Sequence, residues 1–310
     1  MRIVCLLVSL FIFFSGSVSG QSPASVYLFA YFKDNGQDGL HLAYSTDGYQ
    51  YKALRSDSSF LKPTAGVDKL MRDPCIIRGG DGRFHMVWTV SWKERSIGYA
   101  WSKDLVHWSP QQTIPVMAQE PNARNCWAPE LTYDAGSKTY LIYWATTIRG
   151  QFPETQVQGD DAYNHRIYAT TTTDFRTFAP TKLLYEPGFN VIDATIQHDG
   201  RRYVMFLKDE TREPAQKNLK LAYSQNLAGP YSKASAPITG KYWAEGPTVA
   251  RVGTKWLVYF DKYTEHTYGV ITSTDLTNWT DESAKLRLPT GIRHGTVVMI
   301  SPAELDALNR

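Results

Sequence analysis

Four acidic residues and one histidine stand at regular intervals along this 310-residue chain, each beside a proline, alanine or glycine. Intervals of 57, 63, 52 and 49 residues separate them: Asp73, Glu130, Asp193, Glu245 and His294. Carboxyl groups that share a site raise one another's pKa, so that one can hold a proton while its neighbour is ionised. This combination suits general acid–base chemistry or cation binding. A single acid would more often cap a turn, but four in one register indicate a shared site.

A second motif recurs at similar intervals, in which a strand ends in a small polar residue and a turn and an aromatic residue follow. Its turn residues are Asp47, Asp104, Asp174, Asn226 and Asp275. Repeats of about 50 residues that contain several short strands are typical of β-propeller blades. The segments are rich in Val, Ile, Thr, Tyr and Trp, which disfavours helical repeats. We therefore predict an all-β fold, a five-bladed β-propeller with four-stranded blades.

The fifth blade is incomplete at the C-terminus, because too few residues follow His294 for three further strands. Residues 26–32 match a second strand of the repeat, and residues 41–45 match a third. The last blade is therefore predicted to be closed by N- and C-terminal strands, which removes a free sheet edge. A polar stretch at residues 155–164 is predicted to be a surface loop of the second blade.

The innermost strands of a propeller line its axis, and equivalent positions at their starts converge at one mouth of the central channel. The spacing predicts that the four acids and His294 surround one polar pocket there. Acidic residues that converge on one pocket in this way suit general acid–base chemistry.

The N-terminus is typical of a secretory signal peptide. Arg2 precedes an apolar run over residues 3–14, which is shorter than the roughly 20 residues that span a bilayer, and small residues follow up to Gly20. We predict a signal peptide over residues 1–20 and a single catalytic propeller domain over residues 21–310, secreted or periplasmic. The alternative is an uncleaved anchor; after cleavage no membrane association is expected.

The net charge of +3 is spread without a basic block, so the composition offers no case for a nucleic-acid partner. Cys75 and Cys126 lie in the predicted mature chain, and two cysteines are too few for a disulfide framework in a domain of this size. Whether they are paired is left open, as is the oligomeric state.

The chain resembles glycoside hydrolase family 43 over essentially the whole predicted mature region. The resemblance is carried by five motifs in this order: Arg72-Asp73-Pro74, Trp127-Ala128-Pro129-Glu130, Ile192-Asp193-Ala194, Glu245-Gly246-Pro247 and Arg293-His294-Gly295. It implies that Asp73 is the general base, that Glu245 is the general acid, and that Asp193 raises the pKa of the acid and orients it. It also implies inversion of the anomeric carbon, with no cofactor required for the chemistry.

Four further residues are predicted to bind substrate: Glu130, Trp127, Arg293 and Trp243. Glu130 stands where the family often has Asp, which alters the predicted pocket. Arg293 is expected to donate hydrogen bonds to sugar hydroxyls, with a structural ion pair as the alternative. The two tryptophans flank acidic positions and could form a sugar platform or pack structurally. By the resemblance, His294 lies near the channel centre; a structural Ca²⁺ held there directly or through water is left open, as is a hydrogen-bonded core histidine.

The predicted function is an exo-acting, inverting α-L-arabinofuranosidase that trims side chains of plant cell-wall polysaccharides, with an oligo- or polysaccharide as its partner. β-Xylosidase and galactofuranosidase activities are the alternatives on the same scaffold, and endo action is left open. A carbohydrate-binding propeller without catalysis is disfavoured because all three catalytic-position acids are present. A retaining fructan enzyme is disfavoured because Met71-Arg72-Asp73-Pro74-Cys75 stands where that class carries Asn-Asp-Pro-Asn.

Overall fold

A computed structural model describes residues 26–156 and 163–309, which form nineteen β-strands in five antiparallel sheets and one α-helix. The inner strands of successive sheets are neighbours around a closed ring. The predicted all-β five-bladed propeller is therefore confirmed. The predicted signal peptide lies outside the described residues, and so do residues 157–162 of the predicted loop.

Blades are numbered in chain order from the one that carries Asp73, so that both termini meet in blade five. Blade one contains β4–β7, blade two β8–β11, blade three β12–β14, blade four β15–β18, and blade five β19 with β1–β3. The bounds are β1 (Val26–Tyr31), β2 (His41–Ser45), β3 (Lys52–Ala53), β4 (Arg72–Arg78), β5 (Phe84–Thr89), β6 (Ile97–Ser102), β7 (Gln112–Ile114), β8 (Trp127–Asp134), β9 (Thr139–Thr146), β10 (Arg166–Thr172), β11 (Lys182–Tyr185), β12 (Val191–His198), β13 (Tyr203–Asp209), β14 (Asn218–Ser224), β15 (Glu245–Val252), β16 (Lys255–Lys262), β17 (Thr267–Ser273), β18 (Thr280–Asp281), β19 (Thr296–Ile300) and α1 (Pro302–Leu308).

Blade five is closed as the sequence predicts. The C-terminal strand β19 pairs antiparallel with β1, with Val26 opposite Ile300 and Ala30 opposite Thr296. The order β19-β1-β2-β3 places the C-terminal strand innermost. The last strand of the chain thus lines the channel, and its pairing with the first strand ties the ring together.

The prediction of four strands in every blade is wrong for blade three, which has three in the described residues. An irregular segment takes the place of the outermost strand. Its amides donate to β14 at only three points, Ser232 N to Tyr223 O, Ser235 N to Leu221 O and Ile238 N to Leu219 O, each 2.8 Å. The N–H groups of Tyr223, Leu221 and Leu219 in β14 donate to the hydroxyls of Ser232, Ser235 and Thr239, so side chains replace the backbone acceptors of a regular ladder.

The core lies between the blades, and the second strand of each blade is buried on both faces. All six residues of β5 are buried, and the large apolar side chains there and in its counterparts include Trp88, Trp144, Phe206 and Phe260. Burying a side chain of this size stabilises the fold by roughly 1.5–3 kcal/mol. These strands form a rigid frame that positions the starts of the inner strands.

The recurring turn motif is structural. In four blades the hydroxyl at the end of a strand accepts the N–H of the residue three positions later, over 2.8–2.9 Å. These hydroxyls belong to Ser45, Ser102, Thr172 and Ser273. The following aspartate accepts two further turn N–H groups, as Asp47 does from Tyr49 and Gln50. Side-chain capping of this kind stabilises tight turns, and it accounts for the aspartates of this motif.

The described helices are short. The α-helix α1 has seven residues and begins with a capping box between Ser301 and Glu304. No helix in residues 26–156 or 163–309 has the length and apolar character needed to cross a bilayer.

Candidate active site

A β-bulge occurs near the start of the inner strand in blades one to four. The pairing register shifts between Arg72 and Cys75 and at the equivalent places in the other three strands. The residue inside each bulge has a positive φ: Asp73 (51°), Ala128 (44°), Asp193 (52°) and Gly246 (60°). Bulges re-aim side chains, and aspartate tolerates this left-handed conformation better than most residues. Asp73 and Asp193 therefore occupy equivalent positions in blades one and three.

The predicted common register is wrong for Glu245 and Glu130. Glu245 precedes its bulge residue, so it is equivalent to Arg72; Glu130 follows its bulge residue by two, so it is equivalent to Cys75. His294 keeps the predicted register, because Arg293 N donates to Phe32 O over 3.1 Å and Thr296 is opposite Ala30. A bulge sets two residues against one, and residue spacing alone cannot reveal where it falls.

Asp73 is held as a carboxylate. Thr89 Oγ1 donates to Asp73 Oδ2 over 2.8 Å, and His294 Nδ1 lies 3.4 Å from Asp73 Oδ1. Burial raises the pKa of Asp73, but the hydrogen bond and charge of His294, with the charge of Arg72, outweigh burial and hold the pKa below its usual range. An ionised carboxylate is the form that a general base needs.

His294 is buried at the centre of this cluster. Burial lowers its pKa, but the hydrogen bond that it donates to Asp73 and the charges of Asp193 and Glu130 raise the pKa to about 9. The imidazole is therefore positively charged near neutral pH, and it balances the surrounding carboxyl groups.

The side chains in the channel do not fit the calcium ion that the sequence analysis left open. Ca²⁺ takes six to eight oxygen ligands, whereas His294 presents a ring nitrogen that contacts Asp73 Oδ1 at 3.4 Å. Within residues 26–156 and 163–309, no group of three or more His, Cys, Asp or Glu side chains is placed to hold a metal.

Asp193 is buried between Glu245 and the channel centre. Its Oδ2 accepts the N–H of Gly246 over 3.0 Å. Burial raises the pKa of Asp193 to about 6, the charges of Glu245 and Asp73 add to the rise, and His294 and Lys208 oppose it. A Cβ at Gly246 would lie 2.5 Å from His294 Cγ, so this close packing requires glycine.

Glu245 lies between two cations. Lys208 Nζ is 2.9 Å from Glu245 Oε2, and Arg293 Nη2 is 3.3 Å from Glu245 Oε1. The Nε of Arg293 donates to Asp261 Oδ2 over 2.6 Å. The Glu245 side chain is 22% exposed, whereas Asp193 is 8% exposed. Glu245 is thus the more accessible of the two to a molecule entering the mouth.

Glu130 lies deeper than the predicted register implied and is only 5% exposed. Thr195 Oγ1 donates to Glu130 Oε2 over 3.0 Å. Burial raises the pKa of Glu130 to about 7, although the charge of His294 opposes this. Its contacts make it part of the channel lining below the mouth.

The predicted aromatic residues flank the mouth on two sides. Trp127 is half-buried, donates its indole N–H to Trp92 O over 3.0 Å and packs edge-on against the Trp92 ring at 5.4 Å. Trp243 is 41% exposed and lies 5.8 Å from the ring of Tyr263. A cavity of about 380 Å³ opens beside Arg293 and Asp261 between blades four and five, within the size range of small-molecule sites.

Sequence reasoning missed Lys208 and Asp261. They lie one residue before the ends of the second strands of blades three and four, directly opposite Ile192 and Glu245. Thr89 has the same place in blade one, opposite Arg72. The signal that could have found them was a polar residue at the end of an otherwise apolar second strand, as in Phe206-Leu207-Lys208 and Tyr259-Phe260-Asp261.

The two cysteines left open by the sequence are buried free thiols. Cys75 Sγ accepts the N–H of Leu131 over 3.3 Å, and Thr146 Oγ1 donates to Cys126 Sγ over 3.9 Å. Burial raises the pKa of both thiols, so both stay protonated and serve packing.

A five-bladed propeller with Asp73, Asp193 and Glu245 at one mouth of its channel has the architecture of a carbohydrate-active propeller. A family model described as a "Probable glycosyl hydrolase domain", related to glycoside hydrolase family 43, matches residues 22–306. The chain belongs to this family.

The chain is similar to a curated protein with a glycoside hydrolase name. A stretch of 215 residues is 23% identical to an α-L-arabinofuranosidase of Bifidobacterium longum subsp. longum; it covers 61% of this chain and 20% of that protein. The matched part is thus about a fifth of the length of that relative.

Solved structures support the fold. An α-L-arabinofuranosidase from Lactobacillus brevis superposes with a TM-score of 0.52 at 20% identity, covering 69% of this chain and 72% of that one. An exo-β-1,3-galactanase from Phanerochaete chrysosporium superposes with a TM-score of 0.52 at 12% identity, covering 68% and 49%. At these identities the likeness concerns the fold alone.

Proposed function

We propose that this protein is an inverting glycoside hydrolase in which Asp73 is the general base and Glu245 the general acid. The observation that carries the proposal is that three carboxyl groups meet at one mouth of the channel. Thr89 and His294 contact Asp73 and hold its pKa below its usual range, so Asp73 is ionised, as a general base must be. Asp193 accepts the N–H of Gly246, the residue that follows Glu245.

Exposure and contacts separate the roles of Glu245 and Asp193. Glu245 is the more exposed and so can reach the oxygen of a bound glycoside. Asp193 is buried and accepts the N–H of Gly246, the residue after Glu245. Asp193 therefore orients Glu245 through the backbone of Gly246.

The proposed reaction is a single displacement. Asp73 removes a proton from a water molecule, and the water oxygen attacks the anomeric carbon. Glu245 gives its proton to the glycosidic oxygen as that bond to the anomeric carbon breaks, and the configuration inverts. The water must fit between Asp73 and the sugar, so a separation of about 6.5–9.5 Å between the two reacting carboxyl groups is expected in the complex.

Substrate contacts are assigned to the residues around these three acids. Arg293, fixed by Asp261, donates to sugar hydroxyls. Trp127, at the start of blade two, and Trp243, just before blade four, offer apolar rings to the sugar, since aromatic rings pack well on the apolar faces of sugars. Glu130 contributes to substrate binding from the channel lining, below the mouth.

The substrate class is an α-L-arabinofuranoside at the end of a polysaccharide side chain, cleaved in exo fashion outside the cytoplasm. The match to the Bifidobacterium longum enzyme supports the sugar, and the signal-like N-terminus supports secretion. β-Xylosides and galactofuranosides remain the alternatives on this scaffold. Loops around the pocket decide between these sugars.

The test is a screen of the purified protein on para-nitrophenyl furanosides and pyranosides, with the anomer released from the best substrate followed by NMR. We expect cleavage of the α-L-arabinofuranoside with inversion. Cleavage of another glycoside alone corrects the sugar, and a product of retained configuration contradicts the mechanism. Sugar binding with no hydrolysis across the panel would establish a carbohydrate-binding propeller instead.

A further inference from the structure

Six side chains of alternating charge run from blade three to the mouth of the channel. Lys217 contacts Glu210, Lys208 lies 2.6 Å from Glu210 Oε2 and 2.9 Å from Glu245 Oε2, and Arg293 connects Glu245 to Asp261. We call this row the charge chain: Lys217, Glu210, Lys208, Glu245, Arg293 and Asp261. It connects Glu245, the proposed general acid, to Lys208, Glu210 and Lys217, which have no place in the reaction described above.

Lys208 is the pivotal member of the charge chain. It is 1% exposed, and its ammonium group lies 4.6 Å from the centre of the Tyr263 ring. Burial lowers the pKa of Lys208, but the charges of Glu245 and Glu210 outweigh burial and raise the pKa above its ordinary value. A buried lysine that stays charged needs carboxylate partners, and Lys208 has two, on opposite sides.

The two oxygens of Glu245 have different environments. Lys208 binds Oε2 at 2.9 Å, whereas Arg293 lies 3.3 Å from Oε1 and makes its shorter bond, 2.6 Å, to Asp261. Oε1 is therefore the less tightly held oxygen and the one able to carry and release a proton.

We propose that Lys208 is a positioning residue for the general acid: it holds Oε2 of Glu245, turns Oε1 toward the glycosidic oxygen, and stabilises the carboxylate left after proton transfer. The inference rests on the proposed function. In the step concerned, the proton on Oε1 moves to the glycosidic oxygen as its bond to the anomeric carbon breaks. Lys208 keeps its own proton, and Asp73 takes one proton from the attacking water, so charge and atoms balance.

Glu210 provides a second test of the inference, because it competes with Glu245 for the ammonium group of Lys208. Burial raises the pKa of Glu210, but Lys208 and Lys217 lower it below its usual range, so Glu210 is ionised. When the charge of Glu210 is removed, Glu245 is the remaining glutamate that contacts Lys208, and the positive charge of Lys208 then makes Glu245 a stronger acid. Removing Lys208 makes Glu245 a weaker acid. The two changes should therefore move the titration of the acid in opposite directions.

Other charged or titratable groups face these side chains and belong to the same balance. Those acting on Lys208 besides Glu245 and Glu210 are Asp193, Tyr263, Lys217 and His165. Those acting around Glu245 besides Lys208 are Asp193, Asp261, Arg293, Arg72, Tyr263 and Tyr268. Each variant below keeps all of these residues, so differences between variants report on the altered charge.

The experiment measures pH profiles of kcat/KM for wild type, Lys208→Met and Glu210→Gln on the para-nitrophenyl glycoside that wild type cleaves best, and on a glycoside with an alkyl leaving group. Lys220→Met is the matched control. It removes a comparable ion pair from the same blade, between Lys220 and Asp209 at 2.6 Å, and Lys220 does not touch Glu245. Lys208→Arg tests rescue by a conserved charge.

We expect Lys208→Met to move the alkaline limb upward by about 1–3 pH units and to lower kcat on the alkyl glycoside about 10- to 100-fold, with a smaller loss on the aryl glycoside. Glu210→Gln moves the limb downward, Lys220→Met leaves it in place, and Lys208→Arg restores part of the rate.

A limb that moves in the same direction in Lys208→Met and Glu210→Gln, or in neither, overturns the inference while wild-type activity upholds the proposed function. If Lys208→Met does not fold, the alkaline limb of Glu210→Gln decides: a downward shift supports the inference, and an upward shift or none overturns it. A wild type that hydrolyses no glycoside overturns both.

Discussion

His294 Nδ1 lies 3.4 Å from Asp73 Oδ1, and each side chain favours the charged form of the other. The pKa of Asp73 lies below its usual range, and the pKa of His294 is raised to about 9. The preceding residue, Arg293, contacts Glu245. Arg293 and His294 are thus adjacent residues just before the last strand, and they contact the proposed acid and the proposed base, respectively. Through them blade five connects Asp73 in blade one with Glu245 in blade four.

Replacing His294 by Gln should move the acidic limb of the kcat/KM profile to higher pH. The imidazolium is the main group that opposes the effect of burial on Asp73, so its loss raises the pKa of the base. We expect the limb to move by about one pH unit or more, measured on an aryl glycoside. An acidic limb that stays in place would show that His294 does not act on the base.

Stability measurements give a second readout for His294. Because its pKa is raised on folding, the stability it contributes is fully present below about pH 6.5 and is lost as the pH rises through about 9. The melting temperatures of wild type and His294→Gln should therefore differ most below pH 6.5 and converge above pH 9.

Glu130 should make the protein less stable as the pH rises. Its pKa is raised to about 7 in the folded state, so stability is lost between about pH 4.5 and pH 7, by about 1.4 kcal/mol for each tenfold difference in proton affinity between the folded and unfolded states. Glu130→Gln keeps the hydrogen-bonding shape but cannot ionise. The melting temperature of this variant relative to wild type should rise between pH 5 and pH 8. A constant difference would mean that Glu130 is not held protonated.

Chelation should leave the protein unchanged. No cluster of three or more His, Cys, Asp or Glu side chains in residues 26–156 and 163–309 is placed to hold a metal, so prolonged incubation with excess EDTA should not lower the melting temperature. Loss of a bound ion would lower stability by RT ln(1 + [L]/Kd). A melting temperature that falls with EDTA and recovers with CaCl₂ would instead establish the calcium ion that the sequence left open.

Asp193→Asn should move the alkaline limb of the pH profile to lower pH, because its negative charge raises the pKa of the acid. Asp193 is itself protonated below about pH 6. The effect should therefore be largest above pH 7 and should diminish by pH 5. Profiles of kcat on an aryl glycoside measure this, and a difference that is constant across pH would assign Asp193 a structural role only.

The blade architecture was accessible from the sequence, because turn motifs and strand patterns recur at blade intervals. The closure of blade five followed from the missing strands after His294. Blade three departs from the prediction because the hydroxyls of Ser232, Ser235 and Thr239 accept the amides of β14 in place of backbone carbonyls, and a repeat pattern does not reveal such a local effect.

The site was only partly accessible. Asp73, Asp193 and His294 share a register that spacing reveals, whereas Glu130 and Glu245 are displaced by the bulges. Lys208 was missed because a lysine at a strand end is ordinarily exposed, and only the arrangement of blades three and four shows that it is buried against two carboxylates.

The most direct test compares Glu245→Gln and Asp73→Asn on two substrates, a glycoside with an alkyl leaving group and an aryl glycoside with a very good one. An amide cannot donate the acid proton, so Glu245→Gln should lose about 10²–10⁴-fold on the alkyl glycoside and retain much more activity on the aryl glycoside. Asp73→Asn should lose activity on both alike, since the attacking water is no longer activated. Near wild-type rates for both variants on a substrate that wild type cleaves would contradict the assignment of acid and base.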